Sequence, residues 1–187
     1  MLLDQARRPV GGAPRRTVHG TATPLHLAFS CHLLVPDGRV LVTRRALGKR
    51  TWPGVWTNAF CGHPLPGEEV LDAVARRGRD ELGVELSEAR VVLADFAYSA
   101  TDDSGIVENE YCPVAVAVLA DPLEHLTPDP DEVISWRLVE PAVLVRVAAL
   151  TPWLLSPWAA LQLAEPGLVA ALRVSPVEPN QEVGGQP

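Results

Sequence analysis

Cysteine is scarce: only Cys31, Cys61 and Cys112 stand among the 187 residues. The count is odd and no two are spaced C-x-x-C, so neither a disulfide framework nor a zinc ribbon is expected. A reducing cytoplasm is the default compartment. No apolar run approaches the roughly eighteen residues that would cross a bilayer, so no membrane partner is expected. The opening stretch, MLLDQARRPVGG, lacks the long apolar core of a signal peptide. Basic residues are outnumbered, 16 Lys and Arg against 23 Asp and Glu, for a net charge of -7. That balance argues against a nucleic-acid binder, which carries a basic field. Any anionic substrate must be held by a local basic pocket or by metal ions. No internal repeat is present.

What is there reads as one mixed α/β domain. Residues 1–24 carry Gly11, Gly12, Pro14 and four arginines and are expected to form an irregular arm. LHLAFSCHLLV (25–35) and RVLVTRR (39–45) flank the turn Pro36-Asp37-Gly38 and read as a β-hairpin. A loop with two tryptophans follows (45–58), then a short strand, TNAFCGH (57–63). From Glu68 to Leu82 the apolar spacing turns helical, with Gly83 as the expected C-cap. VVLADFAY (91–98), CPVAVAVLA (112–120) and VISWRLV (133–139) are strand-like, the first two expected to be buried. Glu140 to Leu150 fits a helix, and TPWLLSPWAALQLA (151–164) a second, broken one. The domain is expected to span 25–172, and 173–187, with no apolar period, to be disordered.

The helix carries the first chemical pattern. Gly62, five residues, Glu68, seven residues, Arg76, then Asp80-Glu81-Leu82-Gly83-Val84 resembles the Nudix signature, Gly-x5-Glu-x7-Arg-Glu-U-x-Glu-Glu-x-Gly-U, with U apolar. Carboxylates one helical turn apart share a face and hold a hard divalent cation on oxygen. The match departs at three places: Arg77 and Asp80 stand where the box has Glu, and Gly78 where it has an apolar residue. Only Glu81 survives of the main metal-binding carboxylates, which counts against ordinary Nudix hydrolysis.

Five flanking segments extend the likeness: HLAFS (26–30), LVTRRAL (41–47), TWPGVWTNAFCGHP (51–64), TDDSGIVENEYCPV (101–114) and TPWLLSPW (151–158). Together, and in this order, they resemble the type I isopentenyl-diphosphate isomerases, Nudix-fold enzymes that interconvert isopentenyl and dimethylallyl diphosphate. The likeness runs from about Arg15 to Ala164. It implies a Nudix-type α/β/α sandwich with a mixed sheet. A composition rich in Ala, Val, Arg and Pro fits a GC-rich bacterial genome.

The resemblance assigns roles residue by residue. It implies His19, His26, His63, Glu108 and Glu110 as ligands of one metal ion. Three imidazoles and two carboxylates suit Mn²⁺ or Zn²⁺. Residues two apart on a strand share a side, so Cys61 with His63, and Glu108 with Glu110, could each face one cavity. His32 and His125 are left as structural, and Cys31 and Cys112 as packing residues. The resemblance makes Cys61 a catalytic acid/base, with Glu110 opposite it. The chemistry agrees, because moving a double bond by one carbon adds a proton at one place and removes one at another. Protonating an unactivated alkene gives a tertiary carbocation, which aromatic faces stabilise without trapping. Trp158 and Tyr98 fall at the positions for that task. Arg15, Arg45, Lys49 and Arg77 match the basic ring that takes the diphosphate, and Glu81 the ligand of a Mg²⁺ arriving with it. Arg44, Arg50, Arg76 and Arg79 read as surface charge.

Two rival readings are a Nudix hydrolase of nucleoside or other diphosphates, which predicts an intact carboxylate box, and a catalytically dead Nudix-like binding or regulatory domain, which predicts lost ligands. The flavin-dependent type II isomerase is excluded by length, since its barrel needs about 250 residues.

Overall fold

The computed structural model describes residues 1–14 and 18–173. Part of the expected arm is regular. Its residues form β1 (Leu2–Leu3) and β2 (Pro9–Gly11). Both are held because β1 pairs with β3 (His26–Leu27), and the Leu27 N–H donates to the Met1 carbonyl at 2.9 Å. Arg15 and residues 174–187, with almost all of the expected disordered tail, lie outside the described residues.

The expected hairpin is present as β4 (Phe29–Leu34) and β5 (Val40–Arg45), turning at Gly38 with φ 87°. The strand read at 57–63 is two short pieces, β6 (Trp56–Thr57) against β5 and β7 (Phe60–Gly62) against β4. Helix α1 (Val70–Leu82) starts two residues later than its pattern suggests and ends at Gly83, whose left-handed φ of 68° suits glycine. The stretch 91–98 is not one buried strand. β8 (Leu86–Leu93) is a half-exposed edge strand, a turn follows, and β9 (Ala97–Thr101) belongs to the other sheet. Acidic β10 (Val107–Tyr111) carries no apolar run, and its alternation of buried and half-buried residues emerges only in the fold. β11 (Val114–Leu119) and β12 (Val133–Val139) match their patterns, as do α2 (Pro141–Leu150) and α3 (Pro157–Leu163). Pro166 opens one further helix, α4 (Pro166–Leu172).

The strands form two sheets. One runs β2-β1-β3-β10-β9, the other β12-β5-β4-β11-β8, with β4 and β11 parallel among antiparallel neighbours. Alternating residues of the second sheet face opposite layers. Phe29, Leu33, Leu41 and Ala117 pack with Ala73, Val74 and Leu82 of α1. Leu34, Val40, Val42 and Val116 pack with Leu144 of α2, Leu163 of α3 and Leu168 of α4. The layers are therefore helix, mixed sheet, helices. At the crossing of α1 with β7, a Cβ on Gly62 would sit 2.9 Å from Arg77 Cγ and 3.0 Å from the Phe29 ring, so glycine sets that close approach. Among the described residues no helix is long and apolar enough to cross a membrane.

Candidate active site

Register builds the site. His26 of β3, Glu110 of β10 and Tyr98 of β9 lie directly opposite one another across three strands, and Glu108 is two residues along β10 on the same face. Cys61 of β7 faces Ser30 of β4. His63 follows β7, and Gly20, next to His19, is tied to β10 by the Val107 N–H at 2.8 Å. Sequence separations of 80 residues and more vanish in this arrangement.

Four of the five expected ligands meet. Potential donor atoms of His19, His26, His63 and Glu110 all lie within 4.8 Å of one another. Glu110 Oε1 stands 3.4 Å from Nε2 of both His26 and His63 and 3.9 Å from Nε2 of His19. The His26 Nδ1 hydrogen is committed to the Pro24 carbonyl at 2.9 Å, so its Nε2 lone pair points at the cluster. Its neighbour, His63 Nε2, is 3.2 Å away, and His19 Nε2 is buried with no hydrogen-bond partner. At most one hydrogen can lie between His26 Nε2 and His63 Nε2, so nitrogen lone pairs are left at this point for a cation to use. Burial alone would raise the Glu110 carboxyl; where the imidazoles donate hydrogens to it instead of holding a cation, those hydrogen bonds outweigh burial and hold that carboxyl well below its usual range.

Glu108 stands beside this group rather than in it. Its Oε1 accepts from Thr51 Oγ1 at 2.6 Å and its Oε2 from Tyr98 Oη at 2.7 Å. The same phenol proton is shared with Glu110 Oε2 at 2.9 Å. Tyr98 thus ties the two carboxylates together, and burial with their negative charge pushes its pKa well up. It remains a neutral donor.

Cys61, Tyr98, Trp158, Glu108 and Glu110 line one cavity of about 400 Å³ with His19, His63 and Glu81. Burial pushes the Cys61 thiol up to about 12, so it keeps its proton at neutral pH. Trp158 is 2% exposed, its indole N–H donates to Asn58 Oδ1 at 3.0 Å, and Trp52 stands edge-on to it at 5.3 Å.

The basic residues divide. Arg45 and Lys49 line the cavity, and the Arg45 guanidinium lies 5.2 Å from the centre of the Trp158 ring. Arg50 lines it too and is not plain surface charge. Arg77 is buried behind the lining. Its Nη2 lies 2.5 Å from Glu81 Oε1 and 3.3 Å from Glu132 Oε1, and Glu132 also pairs with Lys49. Arg76 is not free surface charge either. It holds Glu68 at 2.8 Å and the His63 carbonyl at 3.3 Å, bracing the loop that carries that histidine. Sequence reasoning missed Glu132, Thr51, Asn58 and Ser30. Glu132 sits 83 residues from Lys49, and only the pairing of β12 with β5 brings them together.

Comparison with known proteins gives the family. The NUDIX domain model matches residues 24–160. An isopentenyl-diphosphate Delta-isomerase of Clavibacter sepedonicus is 55% identical over 87% of this chain and 84% of its own length. One from Kocuria rhizophila is 54% identical over 92% and 94%. Among solved structures, a Deinococcus radiodurans protein superposes with a TM-score of 0.58 at 19% identity, covering 80% of this chain and 88% of its own, which speaks to the fold alone. The chain belongs to the NUDIX family and, within it, to the isopentenyl-diphosphate Delta-isomerases.

Proposed function

We propose that this cavity interconverts isopentenyl and dimethylallyl diphosphate by moving a proton onto and off the double bond. The observation that carries the reading is that Cys61 and Glu110, a thiol and a carboxylate, line one cavity together with the rings of Tyr98 and Trp158. The reaction is reversible, so each group serves as acid in one direction and as base in the other. Protonation leaves positive charge on a tertiary carbon. Trp158 and Tyr98 supply ring faces to it, and the Tyr98 hydroxyl is engaged by Glu108 and Glu110.

His19, His26, His63 and Glu110, with Glu108 beside them, are suited to Mn²⁺ or Zn²⁺ by donor type. When bound, such a cation supplies positive charge that weakens the hold of Glu110 on a proton. His26 is oriented for that task by Pro24, and Glu108 is held by Thr51 and Tyr98. Arg45 and Lys49 would take the diphosphate, and Glu81 a Mg²⁺ carried in with it, a reading supported by the place of all three in the cavity lining. Arg77 steadies Glu81 from behind, and Arg15 is assigned to the same basic ring on sequence alone. Three free cysteines fit a reducing, cytoplasmic setting.

The hydrolase reading is disfavoured by Arg77, which fills a carboxylate position of the box with a cation paired to Glu81. Incubation with isopentenyl diphosphate and Mg²⁺ in deuterated water decides between the two. Dimethylallyl diphosphate carrying deuterium, without free phosphate, is expected. Phosphate release without isomer formation would contradict the reading.

A further inference from the structure

Behind Cys61 runs a chain of buried polar side chains that the reaction as described does not use. Ser30, His32 and Gln162 are each 0% exposed. His32 Nε2 lies 3.0 Å from Gln162 Oε1, Gln162 Nε2 lies 2.9 Å from Ser30 Oγ, and Ser30 Oγ lies 3.3 Å from Cys61 Sγ and 3.4 Å from Cys112 Sγ.

The direction of each bond follows from what each atom can do. An amide oxygen only accepts, so His32 Nε2 carries the hydrogen. That leaves His32 Nδ1 bare, and Nδ1 is the buried atom with no partner. A bare acceptor left alone costs less than an orphaned N–H, so this tautomer is the cheaper one. Gln162 Nε2 then donates to Ser30 Oγ. Cys112 Sγ lies 3.4 Å from Ser30 Oγ inside the core, and its S–H, as an ordinary buried thiol, donates to the second Ser30 lone pair. The Ser30 hydroxyl hydrogen has one place left to go, the sulfur of Cys61.

The other neighbour of that sulfur is already spent. Asn58 Nδ2 gives its two hydrogens to the carbonyls of Cys31 at 2.9 Å and Phe60 at 2.7 Å. Asn58 Oδ1 accepts from Trp158 Nε1 at 3.0 Å and Thr57 Oγ1 at 2.8 Å, which fills both lone pairs. Asn58 Nδ2 also lies 3.3 Å from the sulfur, and Asn58 Oδ1, 3.4 Å away, could take the Cys61 S–H hydrogen only as a third and long partner, so that hydrogen is better placed in the cavity.

We propose that Ser30, locked by Gln162 and His32 behind it, is a positioning residue that fixes the Cys61 sulfur from the core side and leaves the thiol hydrogen facing the cavity. It touches no substrate and acts through Cys61 alone. The inference rests on the proton-transfer role of Cys61 proposed above.

The test is kinetic. Ser30→Ala removes one neutral hydrogen bond to the sulfur and should lower kcat roughly tenfold, with KM for isopentenyl diphosphate and bound-metal content unchanged. Ser30→Thr keeps the hydroxyl and should recover most of that loss. Gln162→Leu should lower kcat in the wild-type background and add nothing further in the Ser30→Ala background, because both act through one bond. In a Cys61→Ala background, Ser30→Ala should have no effect on the residual rate. A Ser30→Ala kcat within twofold of wild type, equal losses in the Ala and Thr variants, or a further loss in the Cys61→Ala background would each overturn the inference. Wild-type turnover by Cys61→Ala would instead sink the role of Cys61 itself.

Discussion

Replacing Trp158 separates a ring that stabilises charge from one that fills space. Trp158→Phe keeps a π face. It loses the indole N–H bond to Asn58 Oδ1, worth about 1 kcal/mol, but Thr57 still donates to that oxygen at 2.8 Å, so no buried acceptor is orphaned. Trp158→Leu loses the same bond, the edge-on contact with Trp52 and the ring quadrupole. An aromatic pair contributes about 0.5–1.5 kcal/mol beyond its area, so the Leu variant should melt lower than the Phe variant. The effect on rate is a separate quantity. A desolvated cation over an indole face gains about 2 kcal/mol, which is roughly thirtyfold in turnover. The ring already draws a cation, since Arg45 lies 5.2 Å from its centre. Turnover of isopentenyl diphosphate should be measured well below both melting temperatures, with the Phe variant retaining most activity and the Leu variant losing roughly thirtyfold. A tertiary-ammonium diphosphate, which mimics the cation, should bind the Phe variant far better. Equal rates and equal analogue affinity in the two variants would refute the electrostatic role and leave Trp158 as a wall, with Tyr98 as the next ring to test.

Glu110→Gln keeps an oxygen in the histidine cluster but cannot cycle a proton; metal content by elemental analysis should persist in part while turnover falls by about 10²–10⁴-fold. Gly62→Ala pushes a methyl against Arg77 and the Phe29 ring and should cost about 1–3 kcal/mol in denaturant melts, with a raised KM as Arg77 and Glu81 are displaced. Glu68 accepts from the Leu65 N–H and from Arg76, whose guanidinium holds its pKa down to about 2. Its stabilisation is complete above the unfolded value of 4.5 and fades as pH falls toward about 2, because the unfolded chain takes the proton first. Glu68→Gln should therefore cost about 1–2 kcal/mol at pH 7, and the gap between the two melting curves should close as the pH drops through that window.

The helices and central strands are legible because their patterns are local. The run of α1 ends at a glycine, and β11 is an unbroken apolar segment. β10 escapes the same reading, since VENEY is acidic and its buried face is made of carboxylates that the histidines, Tyr98 and Thr51 make tolerable. The 91–98 stretch misleads because apolar residues continue through a change of sheet. In the site, residue types and order mark Cys61, Glu110 and three histidines, whereas Ser30, Asn58, Thr51 and Glu132 are ordinary polar residues with no local pattern. They become visible only when strand register sets Ser30 against Cys61 and β12 beside β5.

The most direct measurement is the steady-state rate of Cys61→Ala, with metal content and melting temperature checked against wild type. Cys61 is half-buried and makes only weak contacts through its sulfur, so the variant should fold and keep its histidine cluster. Turnover of isopentenyl diphosphate should fall by about 10²–10⁴-fold, the usual contribution of a general acid–base group. A folded, metal-replete variant within about tenfold of the wild-type rate would contradict the account, since that is well short of such a contribution.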